Sequence, residues 1–245
     1  MVSVCLATYN GEKYIKEQLQ SILSQIGDED EVIISDDGSI DNTLSIIEGI
    51  NDARIKLFHN TGEHGFSKNF VNALNQAQGE YIFLSDQDDV WLPDKYEIVL
   101  PLLKEYDLVV TNSSVTDENL NIIKPSFFSY YNSGKGILKN IIYSTYYGSC
   151  MAFRKTVFED ACPFPESKEI GFDVWIGLVA EMTGKVFFLD KPLLLYRRHS
   201  NTVTSSGNLL NRSNRTLFQK LRGRIIMLKH VISFYLRYKF SCKKA

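Results

Sequence analysis

The most constraining feature of the chain is a rhythm in its first 112 residues, where short apolar runs alternate with stretches of helical spacing. Val2–Ala7, Glu31–Ser35, Arg54–His59 and Glu80–Ser85 read as strands. Between them, Glu12–Ser24 places Tyr14, Ile15, Leu19, Ile22 and Leu23 at helical intervals, and Asn42–Gly49 and Ser67–Ala77 read as the next two helices. Strand and helix alternating at this pace imply βαβ units. The expected class is α/β, with a mostly parallel open sheet carrying helices on both faces. In such sheets ligands sit outside the carboxyl ends of the strands. Chemistry should therefore appear just after each strand.

It does. The first strand ends in Thr8-Tyr9-Asn10-Gly11, the second in Asp36-Asp37-Gly38-Ser39 and the fourth in Asp86-Gln87-Asp88-Asp89. The third leads into Asn60-Thr61-Gly62 and then Gly65-Phe66-Ser67-Lys68-Asn69. The first strand end lacks G-x-G-x-x-G, so a Rossmann-type dinucleotide cradle is not supported. Tyr9 could instead stack on a base while the Thr8 hydroxyl reaches a polar edge. Asp36 and Asp37 stand where nucleotide-binding α/β sheets grip a ribose or base. The competing reading is a turn or N-cap, which D-G-S sequences favour.

Three carboxylates within four residues repel one another and need a cation, a proton or water. An EF-hand loop starting at Asp86 would put Glu97 at its twelfth position, but Val90 and Trp91 occupy the fifth and sixth, and Trp cannot make the glycine turn. A phosphatase-like D-x-D-x-V would make Asp86 a nucleophile, yet that motif belongs after a first strand, with a second acidic pair downstream. The remaining reading is a D-x-D clamp, in which carboxylates and a diphosphate share Mg²⁺ or Mn²⁺.

The second half is less regular. Pro93–Tyr106 reads as a helix with proline in its first turn, Asp107–Asn112 and Gly148–Arg154 as strands, and Phe172–Met182 as a helix. Lys185–Leu189 and Leu193–Arg197 read as two short strands. Residues 113–148 form a long Ser-, Asn- and Tyr-rich region. Its aromatics, Phe127, Phe128, Tyr130, Tyr131, Tyr143, Tyr146 and Tyr147, argue for a built binding region over disorder.

Net charge is −2, which gives no bulk preference for nucleic acid. The distribution is uneven. No Asp or Glu follows Asp190, and ten Lys and Arg residues lie between Arg212 and the end, so the rest of the chain carries −12. From Leu217, the residues Leu221, Ile225, Leu228, Ile232 and Tyr235 continue one helical stripe. Lys220 and Arg224 flank one side of it, with Arg215, Arg222 and Lys229 on the other. Such a helix can lie in an anionic leaflet or pack on the domain. The four cysteines show no CxxC or metal spacing, as expected of reduced thiols in a cytoplasmic protein. The start lacks the pattern of a signal peptide, and no run approaches the about 18 apolar residues that span a bilayer.

The series A-T-Y-N-G, D-D-G-S, N-x-G with a following K-N, and S-D-Q-D-D-V-W-x-P-D-K resembles family 2 glycosyltransferases of the nucleotide-diphospho-sugar (GT-A) fold. More narrowly, it is similar to the bacterial rhamnosyltransferase-like and glucosyltransferase-like enzymes that build surface polysaccharides. Ile40 departs from the usual D-D-G-S-T-D. The resemblance covers roughly residues 1–200. It implies a catalytic domain over 1–205, with a nucleotide-sugar half to about 112 and an acceptor half beyond, and a basic helical tail over 206–245.

On this resemblance, Thr8, Tyr9 and Asp37, supported by Asp36, hold base and ribose. Lys68 or Asn69 approaches the diphosphate or sugar, and Asp86 binds ribose or sugar hydroxyls. Asp88 is the metal ligand with Asp89 assisting, and His199 joins the metal or a phosphate. Arg197 or Arg198 neutralises phosphate. Asp173, in Glu169-Ile170-Gly171-Phe172-Asp173, is the base that activates the acceptor, with Glu169 as fallback. The implied reaction is an inverting, Mn²⁺- or Mg²⁺-dependent hexose transfer to a saccharide on a polyprenyl diphosphate in O-antigen or capsule synthesis. A UDP-hexose, UDP-glucose foremost, is preferred over dTDP-rhamnose. The expected setting is the inner face of the bacterial plasma membrane, reached through the basic tail.

Overall fold

The computed structural model describes residues 1–199 and 216–242. The expected boundary at 205/206, and Arg212, Arg215, Lys243 and Lys244 of the tail, lie outside the described residues. The first half follows the expected rhythm, running β1 (Val2–Thr8), α1 (Ile15–Leu23), β2 (Glu31–Asp36), α2 (Thr43–Ile50), β3 (Ile55–His59), α3 (Phe66–Gln76) and β4 (Tyr81–Asp86). These strands pair in parallel in the order β3-β2-β1-β4. All seven residues of β1 and all six of β2 are buried. That is the pattern of strands covered on both faces, and it explains their continuous apolar runs.

Register brings the strand ends level. Thr8 pairs with Asp36, Ala7 with Asp86, and Asp36 with His59. The chain order reverses between β1 and β4, so the crevice at their carboxyl ends is the topological switch point. That crevice is where the three acidic or hydroxyl-bearing strand ends meet.

Beyond β4 the sheet becomes mixed. It continues through β5 (Val90–Trp91), α4 (Lys95–Leu102), β6 (Leu108–Thr116), β7 (Ile122–Lys124), α5 (Phe127–Tyr131) and α6 (Ile137–Ile142). There follow β8 (Met151–Arg154), α7 (Lys155–Ala161), α8 (Phe172–Thr183), β9 (Val186–Arg197) and α9 (Leu217–Cys242). β8 pairs antiparallel with β4 and β6, and β9 lies parallel to β6.

Three sequence expectations are corrected here. Pro93 precedes α4, because Asp94 stands in the left-handed region with φ of 67° and the helix starts only at Lys95. Gly148–Cys150 is a 3₁₀ turn, so β8 begins at Met151. The two short strands around Pro192 are one continuous β9, whose missing proline N–H is absorbed by register shifts with β6 on both sides of Asn112. Helix α7 was not anticipated at all.

Helix α9 docks through the face the tail stripe does not use. Met227, Val231 and Phe234 are buried, and Phe234 meets Trp175 of α8 edge-on at 5.7 Å between centroids. Leu217, Leu221, Ile225, Leu228, Ile232 and Tyr235, the predicted stripe, are all exposed.

Candidate active site

Gln87 joins the two strand ends that flank the switch point. Its Oε1 accepts from Thr8 Oγ1 (2.6 Å) and from the Tyr9 N–H (2.9 Å), and its Nε2 donates to Tyr9 O (3.1 Å). Gly11 is small for the same reason, since an added Cβ would stand 2.4 Å from Gln87 Oε1. Thr8 is buried by this arrangement, whereas the Tyr9 ring is 53% exposed and free to meet a flat ligand.

The two acids ending β2 divide. Asp36 is buried, and its carboxylate accepts from the Gly38 and Ser39 N–H groups (both 2.9 Å) and from Ser39 Oγ. It builds its own turn, which corrects its expected place beside the nucleotide. Asp37 faces the crevice and organises the loop after β3. It accepts from Asn60 Nδ2 (2.7 Å) and the Gly65 N–H (2.8 Å), and His64 Nδ1 lies 3.1 Å away. Three partners leave about one of a carboxylate's four acceptor positions for a ligand.

The Lys68/Asn69 alternative is decided by burial. Asn69 is buried, accepting from Ser35 Oγ (2.6 Å) and donating to Thr8 O (3.1 Å), so it clamps β1 to β2. Lys68 is exposed at the start of α3 and pairs loosely with Glu63 at 3.5 Å.

The acidic cluster also resolves into roles. Asp88 Oδ2 and His199 Nε2 are 2.8 Å apart, both mostly buried, with the Tyr14 ring 4.9 Å from the imidazole. A residue in the loop after β9 thus meets one after β4. Asp89 lies deeper than Asp88. It is fully buried, its Oδ1 accepts the Arg197 N–H (3.0 Å), and burial together with the charge of Asp88 pushes it up to about 8. Its other oxygen, Oδ2, is buried without a hydrogen-bond partner.

Lys95 lies beneath the cluster, buried, donating to Ser149 O (2.9 Å) and standing 4.7 Å over the Trp91 ring. Burial pulls it down to about 8 against the opposing pull of Asp89 and Asp86. Asp86 is raised well above the usual carboxylate range by burial and by the charges of Asp89, Asp88 and Asp173.

Arg197 is not available to a phosphate. It is 4% exposed, donates from Nε to Asp88 O (2.7 Å) and from Nη1 to Glu118 O (2.8 Å), pairs with Glu17 and covers the Tyr14 ring at 4.5 Å. It fixes the Asp88 backbone instead. Arg198, partly exposed, donates its backbone N–H to Thr116 O (3.0 Å).

Asp173 reaches the site from the first turn of α8. Its Oδ1 accepts from the Val174 N–H (2.8 Å), and the Gly148 N–H also serves the carboxylate. Burial nevertheless lifts it to about 6. Gly171 leaves it room, because a Cβ there would stand 2.6 Å from Asp173 Oδ1. Phe172 stacks on Phe70 at 4.6 Å and packs edge-on to Phe66, which locks the start of α8 against α3. The fallback Glu169 sits in the loop ahead of the helix, partly exposed.

Sequence reasoning missed Gln87, Lys95, Glu17 and His64. Gln87 stood inside the D-x-D motif as its variable letter, and no periodicity distinguishes the other three. Among the described residues no group of three or more His, Cys, Asp or Glu is arranged to hold a metal. The closest pairing of an expected metal residue is Asp88 with His199.

Comparison with known proteins agrees with this geometry. The model of Glycosyl transferase family 2 matches residues 3–161. The chain is similar to the dTDP-rhamnosyl transferase RfbG of Shigella flexneri, 30% identical over 223 residues, covering 80% of this chain and 72% of that protein. It is also similar to a GalNAc(5)-diNAcBac-PP-undecaprenol beta-1,3-glucosyltransferase of Campylobacter jejuni, 27% identical over 221 residues, covering 84% and 69%. The crystal structure of S. aureus TarS 1-349 in complex with UDP-GlcNAc superposes with a TM-score of 0.69 at 22% identity, covering 96% of this chain and 70% of that one. With its strand-end acids gathered at the switch point of a GT-A sheet, the chain belongs to glycosyl transferase family 2 and is a glycosyltransferase.

Proposed function

We propose that the enzyme moves a hexose from a nucleoside diphosphate sugar, with inversion at C1, to a saccharide carried on a polyprenyl diphosphate in O-antigen or capsule assembly. The observation that carries the inverting chemistry is the seating of Asp173 beside the strand-end acids, lifted by burial to about 6. A carboxylate with that value is ionised at neutral pH yet basic enough to take a proton efficiently.

The acceptor hydroxyl oxygen attacks C1 of the donor sugar, and its proton passes to the Asp173 carboxylate. The bond from C1 to the diphosphate oxygen breaks on the opposite face, and its electron pair leaves with the nucleoside diphosphate. Tyr9 and Asp37 receive base and ribose, with Thr8 placing the Tyr9 backbone through Gln87. Lys68 approaches the diphosphate and Asp86 the donor hydroxyls.

Asp88 and His199 would hold Mn²⁺ or Mg²⁺, offering an anionic oxygen and an imidazole. A cation held there would supply charge neutralisation to the leaving diphosphate.

UDP-glucose is the leading donor, supported by the glucosyltransferase named among the relatives. The rhamnosyl transferase relative favours dTDP-rhamnose as the second reading. The enzyme would work as a peripheral protein on the inner face of the plasma membrane. No described helix is long and apolar enough to cross a bilayer.

The test offers a panel of nucleotide sugars with a GlcNAc-diphosphate-lipid acceptor and Mn²⁺. UDP-glucose should be consumed, EDTA should stop the reaction, and no covalent enzyme intermediate should accumulate. Turnover with dTDP-rhamnose alone would move the assignment to the second donor. Donor binding without transfer to any lipid-linked acceptor would contradict the acceptor class.

A further inference from the structure

Helix α9 has two apolar faces, and the fold uses only one. Met227, Val231 and Phe234 dock on α8 and α6, while Leu217, Leu221, Ile225, Leu228, Ile232 and Tyr235 remain 42–84% exposed. At about 100° per residue these faces lie about 105° apart on the helix. Six Lys and Arg residues and no Asp or Glu occupy α9, with Lys220 and Arg224 on one side of the exposed stripe and Arg222 and Lys229 on the other.

The neighbouring helix extends the pattern. On α6, Leu138 is 72% exposed and Ile142 46%, and the capping residue Tyr143 is 59% exposed. Arg224 of α9 donates to Ile142 O, so the two helices are joined where their exposed apolar residues lie. Lys135 precedes α6 and Lys139 lies within it, again without an acid between residues 119 and 158.

We infer that α6 and α9 together form one docking surface for an anionic lipid bilayer. The inference rests on the lipid-linked acceptor reading above and deepens it, replacing a basic tail with a folded, two-helix platform. Charge complementarity selects the occupant. Basic side chains flanking an apolar stripe match a layer of anionic headgroups over acyl chains, whereas a second copy would set the same basic residues against one another.

The test is sedimentation of the full chain with vesicles of phosphatidylglycerol and phosphatidylcholine, against phosphatidylcholine alone. Wild type should favour the anionic vesicles, with salt weakening the binding. Leu228→Glu on α9 and Leu138→Glu on α6 should each lower partitioning by about tenfold or more, since each withdraws one inserted leucine. Ile122→Glu on β7, 60% exposed but away from this surface, should not.

All three variants should retain wild-type transfer to a soluble acceptor analogue lacking the polyprenyl chain. Wild-type partitioning by Leu138→Glu would overturn the two-helix surface. Failure of wild type to bind anionic vesicles, with self-association hiding α9 in sedimentation velocity, would overturn the bilayer as occupant. Absence of transfer to every acceptor would count against the proposed function alone and leave the vesicle result standing.

Discussion

Substitutions at Gln87 and Gly11 probe the architecture of the site from two sides of one contact. Gln87→Ala removes three hydrogen bonds between the ends of β1 and β4. At about 1 kcal/mol net each, and with the Tyr9 end open to water, the loss should be about 2–3 kcal/mol. Gly11→Ala acts on the same amide, because the new Cβ would stand 2.4 Å from Gln87 Oε1 and 3.1 Å from Thr8 Oγ1. Gln87 must then give up the position in which it holds its bonds, and overpacking of this kind costs about 1–3 kcal/mol.

In the Gln87→Ala background the main obstruction is gone and only the Thr8 contact remains. The double variant should therefore be less destabilised than the sum of the singles, with a coupling of about 1–2 kcal/mol. Urea denaturation of the four proteins, with a constant m-value, measures this directly. Strict additivity would show that Gly11 does not make room for Gln87 and would refute the bridge between the strand ends.

Three other expectations follow from the same contacts. Arg197→Lys should cost about 1–3 kcal/mol in denaturant unfolding, because a lysine cannot reach all the acceptors the buried guanidinium holds at Asp88 O, Glu118 O and Glu17. His199→Ala should raise the half-saturating Mn²⁺ concentration of the reaction at least by the about 10–100-fold typical of lost metal-site support; an unchanged metal requirement would remove it from the site. Burial pushes the Glu31 carboxyl up, but bonds from Lys56, Ser3 and the Gln78 N–H outweigh this and hold it below 4.5. It therefore contributes stability that is present above its unfolded value and lost as pH falls through the lower folded one, so Glu31→Gln should flatten the acid side of the stability profile.

The rhythm of apolar runs was enough to place β1 to β4 and the acids at their ends, because fully buried parallel strands leave an uninterrupted signal. Direction was not legible. Asp36 and Asp37, Lys68 and Asn69, and Asp88 and Asp89 are neighbours of like chemistry, and in each pair one member turns inward to hold the backbone while the other faces the crevice. Only tertiary packing separates them. Arg197 misled for a related reason, since its charge suggested phosphate while its contacts with Glu17, Tyr14 and the Asp88 carbonyl come from distant segments. In α9 the apolar stripe was visible, but Met227, Val231 and Phe234 offered a second face, and it is this face that packs on Trp175 of α8.

The proposed inverting reaction rests on Asp173 as base, and the pH dependence of transfer by wild type and Asp173→Asn, measured alongside donor binding, tests it most directly. With Asp173 at about 6, wild-type kcat/KM should fall about tenfold per pH unit on the acid side and level off above neutrality. Asp173→Asn should bind donor like wild type, lose about 10²–10⁴-fold in kcat, and lose the acid limb with it. An Asn variant that turns over at the wild-type rate with the same acid limb would contradict the assignment.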